Sequence, residues 1–547
     1  MNKPNTAYFS MEFGLDTNFK TYAGGLGILA GDYIKGAKDY DYPVTGIGIL
    51  WKQGYTDQRI GADGEPYDSY HNNKYDFLED TGVKVSVEIR GREVFCKLWK
   101  TDKFGNADLY LLDTDLPENE DAWITGQLYG WFGEERIAQE MVLGIGGVRA
   151  IRALELPMDI FHFNEGHALF AGLELLREKM EGKAFSFQEA LAEVRKEVVF
   201  TTHTPIIQGN EVHRMDLLTY MGANLHLSVE EMTYIGGNPF NMTIGALRMA
   251  KRSNGVAKLH GETANAMWKG VPRISEIIAI TNAIHIPTWV DPEILELAEG
   301  AESVGDGAGK LWAAHTKNKQ ELIKFVQDRN GVKLDEDVLL IGFSRRAAPY
   351  KRSNFIFSDL EIIEPLLKGN KLQIVFSGKA HPLDDGGKAI VRSLVDMAEK
   401  YPANVVFLEN YDMTIGQMLT RGADIWLNNP RRPKEASGTS GMKAAMNGVL
   451  NFSILDGWWP EACDHGKNGW QFGDGFESED EDLLDAHDLE ALYQVLTEEV
   501  IPAYYEEREK WIYMMAESIR TTRDEFNVKR MLEEYYELLY KYKGSGE

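Results

Sequence analysis

Short apolar runs alternate with amphipathic segments along most of the chain. Residues 160–163 and 198–202 are apolar runs that end in polar residues, and residues 168–179 between them have helical spacing of apolar positions. Short apolar runs bounded by turns are typical of buried strands, and a period near 3.6 is typical of helices. The alternation predicts α/β architecture with parallel, doubly wound sheets, whose ligands bind at the carboxyl ends of the strands.

The same pattern predicts two such domains. Pro287 and Pro292 interrupt regular structure between two blocks of alternation. We therefore expect an N-terminal domain over 1–283, a C-terminal domain over 284–515 and a helical tail over 516–547 that packs back on the first domain. The predicted strands are 7–14, 44–50, 160–163, 198–202, 277–280, 339–343, 372–376, 405–408 and 425–427. The predicted helices run from the glycine turn to about Lys38, over 134–154, over 168–179, from within 254–260, directly after 352 and within 504–540.

Composition narrows the class of protein. The chain has 547 residues, 44% of them hydrophobic, and a formal net charge of −27. So acidic a chain is a poor ligand for nucleic acid or anionic membranes, which require a basic face. Two distant cysteines, Cys96 and Cys463, favour a reducing compartment over a disulfide framework. Since no secretory signal or membrane-length apolar run is present, we expect a cytoplasmic protein.

One segment combines residues of strong chemical character. It contains, in order, Glu435, Ser437, Gly438, Thr439, Ser440, Gly441 and Lys443. The glycines permit close approach of the backbone to a ligand, and a helix start with hydroxyl residues attracts anions. An ordinary helix cap with a solvated lysine is the alternative. The apolar runs on both sides, 423–427 and 449–455, favour a partly buried amine suited to Schiff-base chemistry.

Two further segments carry candidate ligand contacts. Four cations follow a predicted strand and suit a phosphate site, although a solvated basic helix start is the alternative: Arg345, Arg346, Lys351 and Arg352. The glycine turn at residues 24–27 suits a phosphate or sugar oxygen, and close helix–strand packing explains it equally well. His203, at a predicted strand end, suits a ligand contact. His162, Glu165 and His167 do not have the spacing of a zinc motif, so no metal is expected.

These segments together resemble the α-glucan (glycogen, maltodextrin) phosphorylases, in a short form that lacks the N-terminal regulatory region. The matching segments occur in the family's order: Gly24–Gly27, Thr202–Thr204, Asn254–His260, Thr281–Ile284 with Trp289, Arg345–Arg352, Val406–Tyr411, Glu435–Lys443 and Asp456–Gly457. Three departures stand out: Ala347-Ala348-Pro349 for Ile-His-Glu, Ser440-Gly441 for Gly-Asn, and Trp458-Trp459-Pro460 for Ala-Asn-Val.

The resemblance implies two domains facing a cleft, as in glycosyltransferases of the B type, and reversible phosphorolysis of α-1,4-glucan to α-glucose 1-phosphate with retention. It implies pyridoxal 5′-phosphate held by Lys443 as an imine. The catalytic residues it implies are Arg346, Lys351, His203 and Glu435. The cofactor-binding residues are Lys443, Gly24, Gly25, Thr439 and Ser440. The substrate-binding residues are Asn282, Tyr350, Ser437, Gly438 and Leu26.

Two alternatives remain open at this level. A nucleotide-sugar glycosyltransferase of the starch or glycogen synthase kind shares the architecture and the glycine loop but needs no pyridoxal phosphate. A glucan-binding protein with a dead site would not need Lys443, Arg346 and Lys351. The family partners are glucan and phosphate, and the assembly expected is a homodimer or larger homo-oligomer. Since few residues precede the predicted strand at Ala7, we expect no response to AMP through an N-terminal segment.

Overall fold

The computed structural model describes residues 3–300 and 306–543, which divide into two compact units. The first comprises the chain up to Thr56, Tyr70–Asn282 and the described residues from Val528 onward, and the second comprises Asp57–Ser69 and Ala283–Asn527. Two features depart from the expected limits. Residues 516–527 belong to the second unit, not to a tail on the first, and an early hairpin also belongs to the second unit.

The first unit is built on a nine-stranded sheet. Its order is Ile277–Ala279, Arg252–Gly255, Val198–Thr201, Ile160–Asn164, Thr6–Phe9, Val44–Ile49, Leu109–Asp113, Arg92–Thr101 and Glu79–Ile89. The first seven run parallel and the last two are an antiparallel edge. The chain winds outward in both directions from Thr6–Phe9, so the switch point lies between that strand and Ile160–Asn164.

The helices of the first unit cover this sheet. They are Gly25–Asp39, Glu134–Met141, Gly147–Ala153, Leu169–Gly182, Phe187–Glu197, Met215–Met221, Val229–Gly236, Met242–Met249, Lys258–Trp268 and Val528–Glu534. The helix predicted over 134–154 contains a π-helical turn at Val142–Gly146. There, a side chain on Gly144 would come within 2.4 Å of the Ala171 nitrogen, so glycine permits the close approach. Asn254 lies in the strand Arg252–Gly255, and the helix predicted to start within 254–260 begins at Lys258.

The second unit has a six-stranded sheet that is parallel throughout. Its order is Val405–Leu408, Gln373–Ser377, Leu340–Ser344, Ile425–Asn428, Leu450–Ile454 and Gly469–Phe472. The switch point falls between Leu340–Ser344 and Ile425–Asn428. The helices are Ile286–Trp289, Pro292–Gly300, Asp306–Asn330, Leu360–Lys368, Asp385–Lys400, Met413–Gly422, Thr439–Met446, Trp459–Ala462, Glu481–Val495, Ile501–Glu506 and Arg508–Thr522.

The predicted fold class, two doubly wound α/β units, is confirmed. The missed hairpin, Asp57–Ile60 with Pro66–Ser69, is held in the second unit because the Gln58 side-chain amide donates to the Ala380 carbonyl at 3.0 Å. A short antiparallel pair, Val212–His213 with Phe240–Asn241, lies in the first unit. Among the described residues, no helix is long and apolar enough to cross a bilayer.

Candidate active site

The switch point of the second unit brings together the predicted cations and the predicted carboxylate. Arg345 directly follows the strand Leu340–Ser344, and the loop after Ile425–Asn428 leads to Glu435. The Arg345 guanidinium donates to Glu435 Oε2, and Lys351 Nζ lies 2.9 Å from both carboxylate oxygens. Two cations from one loop therefore share one buried carboxylate.

The charge state of Glu435 follows from these neighbours. Burial raises the pKa of its carboxyl group, but the charges of Arg345 and Lys351 outweigh burial and lower the pKa to about 2. A second carboxyl group, that of Asp456, contacts the same residue: Asp456 Oδ2 accepts the Glu435 backbone N–H at 2.9 Å. Burial, followed by the charge of Glu435, raises the pKa of Asp456 well above its ordinary value.

The four predicted cations divide into different roles. Arg352 is buried and turns away, since it bonds the carboxylates of Asp485 and Asp488 at 2.9 and 2.8 Å and the carbonyls of Asn429 and Pro430. Its backbone is left-handed, with φ of 52°. No α-helix directly follows this segment as predicted: Pro349–Lys351 and Phe355–Phe357 each form a short 3₁₀ turn, and the next α-helix begins at Leu360.

Arg346 and Tyr350 lie on the solvent side of the cation cluster. Arg346 is exposed, and Tyr350 is half-buried with Lys351 Nζ 4.9 Å from its ring centroid. Burial raises the pKa of the Tyr350 hydroxyl, but the nearby charges of Lys351 and Arg346 outweigh it, so the pKa lies below its usual value. The tyrosine thus faces a cationic surface that suits an anionic ligand.

Lys443 is buried against an aromatic ring. It lies in the helix Thr439–Met446, and its Nζ is 3.6 Å from the Trp289 ring centroid. The Asn447 side-chain amide donates to the carbonyls of Trp289 and Lys443, at 3.1 and 2.8 Å. The ring and the lysine are therefore fixed relative to each other.

The turn before this helix leaves polar groups available. Gly438 has φ of 86°, a left-handed conformation that favours glycine, and no side chain caps the helix start. The Ser437 hydroxyl is buried without a hydrogen-bond partner among the described residues. Arg345 donates to the Ser440 hydroxyl at 3.0 Å, so the cation cluster adjoins this turn.

The glycine turn of the first unit separates into open and packed positions. A side chain on Gly24 or Gly25 would meet nothing within 4 Å, whereas one on Gly27 would lie 2.4 Å from Glu12 Oε2 and one on Gly31 1.9 Å from the Gly14 carbonyl. Gly24 and Gly25 therefore leave room for a ligand, whereas Gly27 and Gly31 serve close packing. Leu26, beside the open pair, is half-exposed.

Glu12 is a residue that sequence reasoning missed. Its Oε2 accepts the backbone N–H groups of Ala23 and Gly24 at 2.6 and 3.0 Å, and Tyr129 donates to its Oε1 at 2.9 Å. The carboxylate holds the glycine turn in position. A signal existed in the sequence, because Glu12 is a charged residue at the end of an apolar strand.

His203 follows the strand Val198–Thr201, at the edge of the first sheet formed by the carboxyl ends of its parallel strands. Its Nε2 is 2.6 Å from the Asn164 side-chain oxygen, and the buried Glu165 accepts its backbone N–H at 2.8 Å. Burial, then His260 and His167, lower the pKa of His203 to about 3, so the ring is neutral at pH 7. Asn282 is buried, and its side-chain oxygen lacks a partner in the described part of the chain.

His162, in contrast, belongs to the core. Its two ring nitrogens lie 2.7 Å from the Tyr540 and Thr201 hydroxyls. Burial and the neighbouring His203 lower its pKa to about 3. This histidine stabilises the sheet and does not face the candidate site.

The second unit thus holds a buried lysine and a cation cluster at the switch point of its sheet. Residues 267–473 match the carbohydrate phosphorylase family. The maltodextrin phosphorylase of Thermococcus litoralis is 38% identical over 97% of this chain and 70% of its own. The glycogen phosphorylase of Aquifex aeolicus is 36% identical over 98% of this chain and 86% of its own.

An uncharacterised protein of Methanocaldococcus jannaschii is 38% identical over 98% of this chain and 99% of its own. The chain belongs to the carbohydrate phosphorylase family, and it is therefore a glycosyltransferase enzyme. The resemblance drawn from the sequence segments is confirmed.

Proposed function

We propose that the protein catalyses reversible phosphorolysis of α-1,4-glucan with pyridoxal 5′-phosphate as cofactor. The bond between the terminal glucosyl C1 and its glycosidic oxygen breaks, and C1 bonds to a phosphate oxygen. A proton passes to the leaving oxygen, so that α-glucose 1-phosphate and a shortened glucan result. The observation that carries the proposal is the shared Glu435, Arg345 and Lys351 cluster beside the helix of Lys443.

The charge of the cluster suits inorganic phosphate. Arg345 and Lys351 both contact one ionised carboxylate, Glu435, so these three side chains together carry an excess of one positive charge. Arginine and lysine bind phosphate by charge-assisted hydrogen bonds. The usual pair of glycosidase carboxylates would repel an incoming phosphate, so the acid has to come from elsewhere.

The residues present fit pyridoxal 5′-phosphate. The buried Lys443 on the Trp289 ring suits covalent attachment, and the uncapped helix start with the unpartnered Ser437 hydroxyl suits an anionic group. Lys443, Thr439 and Ser440 would hold the group, and Gly24 and Gly25 are the candidates in the first unit. When bound, the group supplies a phosphate that lets the substrate phosphate act as an acid.

We assign the sugar contacts mainly to polar groups that retain an unused hydrogen-bond donor or acceptor in the described structure. Because the Asn164 amide nitrogen donates to Ser10, its oxygen faces His203 and accepts from Nε2, so Nδ1 is left as an acceptor for a hydroxyl. Asn282 and Ser437 each retain an unpartnered oxygen in the described structure. In the first unit we assign His203 and Asn282 to glucosyl hydroxyls and Leu26 to a backbone contact. In the second unit we assign Ser437, Tyr350 and Glu435 to glucosyl hydroxyls and Gly438 to a backbone contact.

The deciding experiment measures glucose 1-phosphate formed from maltoheptaose and phosphate by protein with and without added pyridoxal phosphate. We expect phosphate-dependent release that requires the cofactor. Transfer from UDP- or ADP-glucose without pyridoxal phosphate would favour the synthase alternative. Glucan binding without either reaction would indicate a binding protein.

Two further expectations belong to this proposal. The thiols of Cys96 and Cys463 are free, which suits the reducing cytoplasm. A homo-oligomer is expected, and light scattering on the purified protein measures it.

A further inference from the structure

A second cluster of chemistry-bearing side chains lies in the first unit, apart from the lysine site. We call Glu140, Glu211 and His213 the acid–histidine cluster. The helix Glu134–Met141 carries Glu140, and the strand Val212–His213 carries His213, with Glu211 directly before it. One ligand atom from each lies within 4.8 Å of the others. Glu140 and His213 are buried.

The spacing within this cluster matches a small coordination sphere. His213 Nε2 lies 3.3 Å from Glu140 Oε2 and 3.8 Å from Glu211 Oε2. Around a tetrahedral zinc ion with bonds of about 2.0–2.2 Å, neighbouring ligand atoms are roughly 3.3–3.6 Å apart. The two distances from His213 Nε2 are therefore within about 0.5 Å of the spacing that a shared ion requires.

The hydrogen bonding of the cluster is incomplete. Glu140 Oε1 and Glu211 Oε2 are buried and have no partner among the described residues. The two carboxyl groups are nevertheless within hydrogen-bonding reach of each other, and ionised carboxylates only accept. Buried polar groups are rarely left unmatched, so a positive occupant belongs between them. That occupant is either a proton or a cation.

The surroundings orient Glu211 as a ligand. Arg136 donates to its other oxygen, Oε1, and His167 Nε2 lies 3.8 Å from the same atom. Metal-bound carboxylates are typically held by such outer partners. Arg136 therefore occupies one oxygen of Glu211 and leaves Oε2 directed at Glu140 and His213.

We propose that the acid–histidine cluster binds one divalent transition-metal ion of the zinc class. One imidazole nitrogen and two carboxylate oxygens suit zinc or manganese better than magnesium, which prefers oxygen ligands alone. The ion would join the helix Glu134–Met141 to the strand Val212–His213 and so stabilise the first unit. The site is independent of the proposed reaction, because none of its residues lies in the phosphate or cofactor site.

The test is zinc titration of chelator-treated full-length protein by isothermal calorimetry, with Mg²⁺ for comparison. We expect one Zn²⁺ per chain, a raised thermal midpoint and no comparable Mg²⁺ binding. X-ray absorption on the wild-type zinc complex should show nitrogen and oxygen ligands without sulfur. The variants Glu140→Gln and His213→Gln should each weaken binding at least about 10-fold.

The matched control is His465→Gln, which removes an exposed histidine–carboxylate pair in the second unit, where His465 Nε2 lies 2.9 Å from Glu499. Its zinc binding should equal that of the wild type. No stoichiometric binding by the wild type would overturn the proposal and leave a shared proton as the occupant. Equal binding by a folded Glu140→Gln variant, or sulfur ligation, would also overturn it.

Discussion

Gly441 and Trp458 are matched to each other. A side chain on residue 441 would lie 2.7 Å from the Trp458 indole nitrogen and equally close to the Asn451 side-chain oxygen. Both residues differ from the family pattern. They lie 17 positions apart in the sequence but contact each other in the structure. Trp458 stands where the family pattern has alanine, and its larger indole fits because residue 441 has no side chain.

Gly441→Ala should therefore destabilise the second unit by about 1–3 kcal/mol, because overpacking displaces the buried indole. The control is Gly309→Ala, in the helix Asp306–Asn330, where a side chain meets nothing within 4 Å. That change should stabilise by up to about 1 kcal/mol. Thermal unfolding measures the stability of both variants. Equal stability changes in Gly441→Ala and Gly309→Ala would contradict close packing between residue 441 and Trp458.

Lys443→Arg should abolish covalent cofactor attachment while keeping a cation on the Trp289 ring. Arginine does not form the imine, whereas its guanidinium still packs on an aromatic face. Borohydride reduction followed by peptide mass mapping is the measurement. The exposed Lys317→Arg should label like the wild type. A label on any lysine other than Lys443 would reject the assignment.

Arg346→Ala should impair use of phosphate much more than binding of glucan. A charge-assisted phosphate contact contributes about 2 kcal/mol, which corresponds to about a 30-fold loss in kcat/KM for phosphate. Steady-state kinetics with varied phosphate, and maltodextrin binding without phosphate, separate the two. Lys317→Ala should change neither quantity. An equal loss of glucan affinity in Arg346→Ala would show that the role is wrong.

Arg352→Ala should act on stability, although Arg352 belongs to the same run of cations. It leaves Asp488, itself buried, without its cationic partner. Removing one partner of a buried pair costs about 3–5 kcal/mol. The exposed Arg346→Ala should stay within about 0.5 kcal/mol of wild type. Chemical unfolding compares the two, and similar stabilities would contradict the division of roles.

The stability of the first unit should fall on acidification below about pH 6.5. Burial lowers the pKa of His162 to about 3, so the unfolded chain takes up a proton that the folded chain refuses. Stability therefore rises with pH between these values, by up to about 1.4 kcal/mol per pH unit for one proton. This contribution to stability is lost as the pH falls from about 6.5 towards 3.

His162→Gln should reduce that slope by up to one proton, most fully at about pH 5, whatever it does to stability at pH 7. Urea unfolding at several pH values between about 5 and 7 gives the slopes. The control is Gln188→Ala, which changes an exposed residue without a titratable group and should keep the wild-type slope. An unchanged slope in His162→Gln would show that His162 does not cause the pH dependence of stability.

The sequence alone determined the architecture and the main candidate residues. Apolar runs and helical spacing are local properties, so the parallel strands, their polar ends and the segment around Lys443 could be predicted directly. The carboxyl ends of parallel strands share one edge, which places Arg345 and Glu435 near each other once the strand order is known.

The tertiary structure decided which neighbours in sequence act together. Lys351 turns to Glu435 while Arg352 turns to Asp488, because the backbone is left-handed at Arg352. Glu12 holds the turn at Gly24 across 12 residues. Such pairs depend on the packing of distant segments, which local pattern and propensity do not specify.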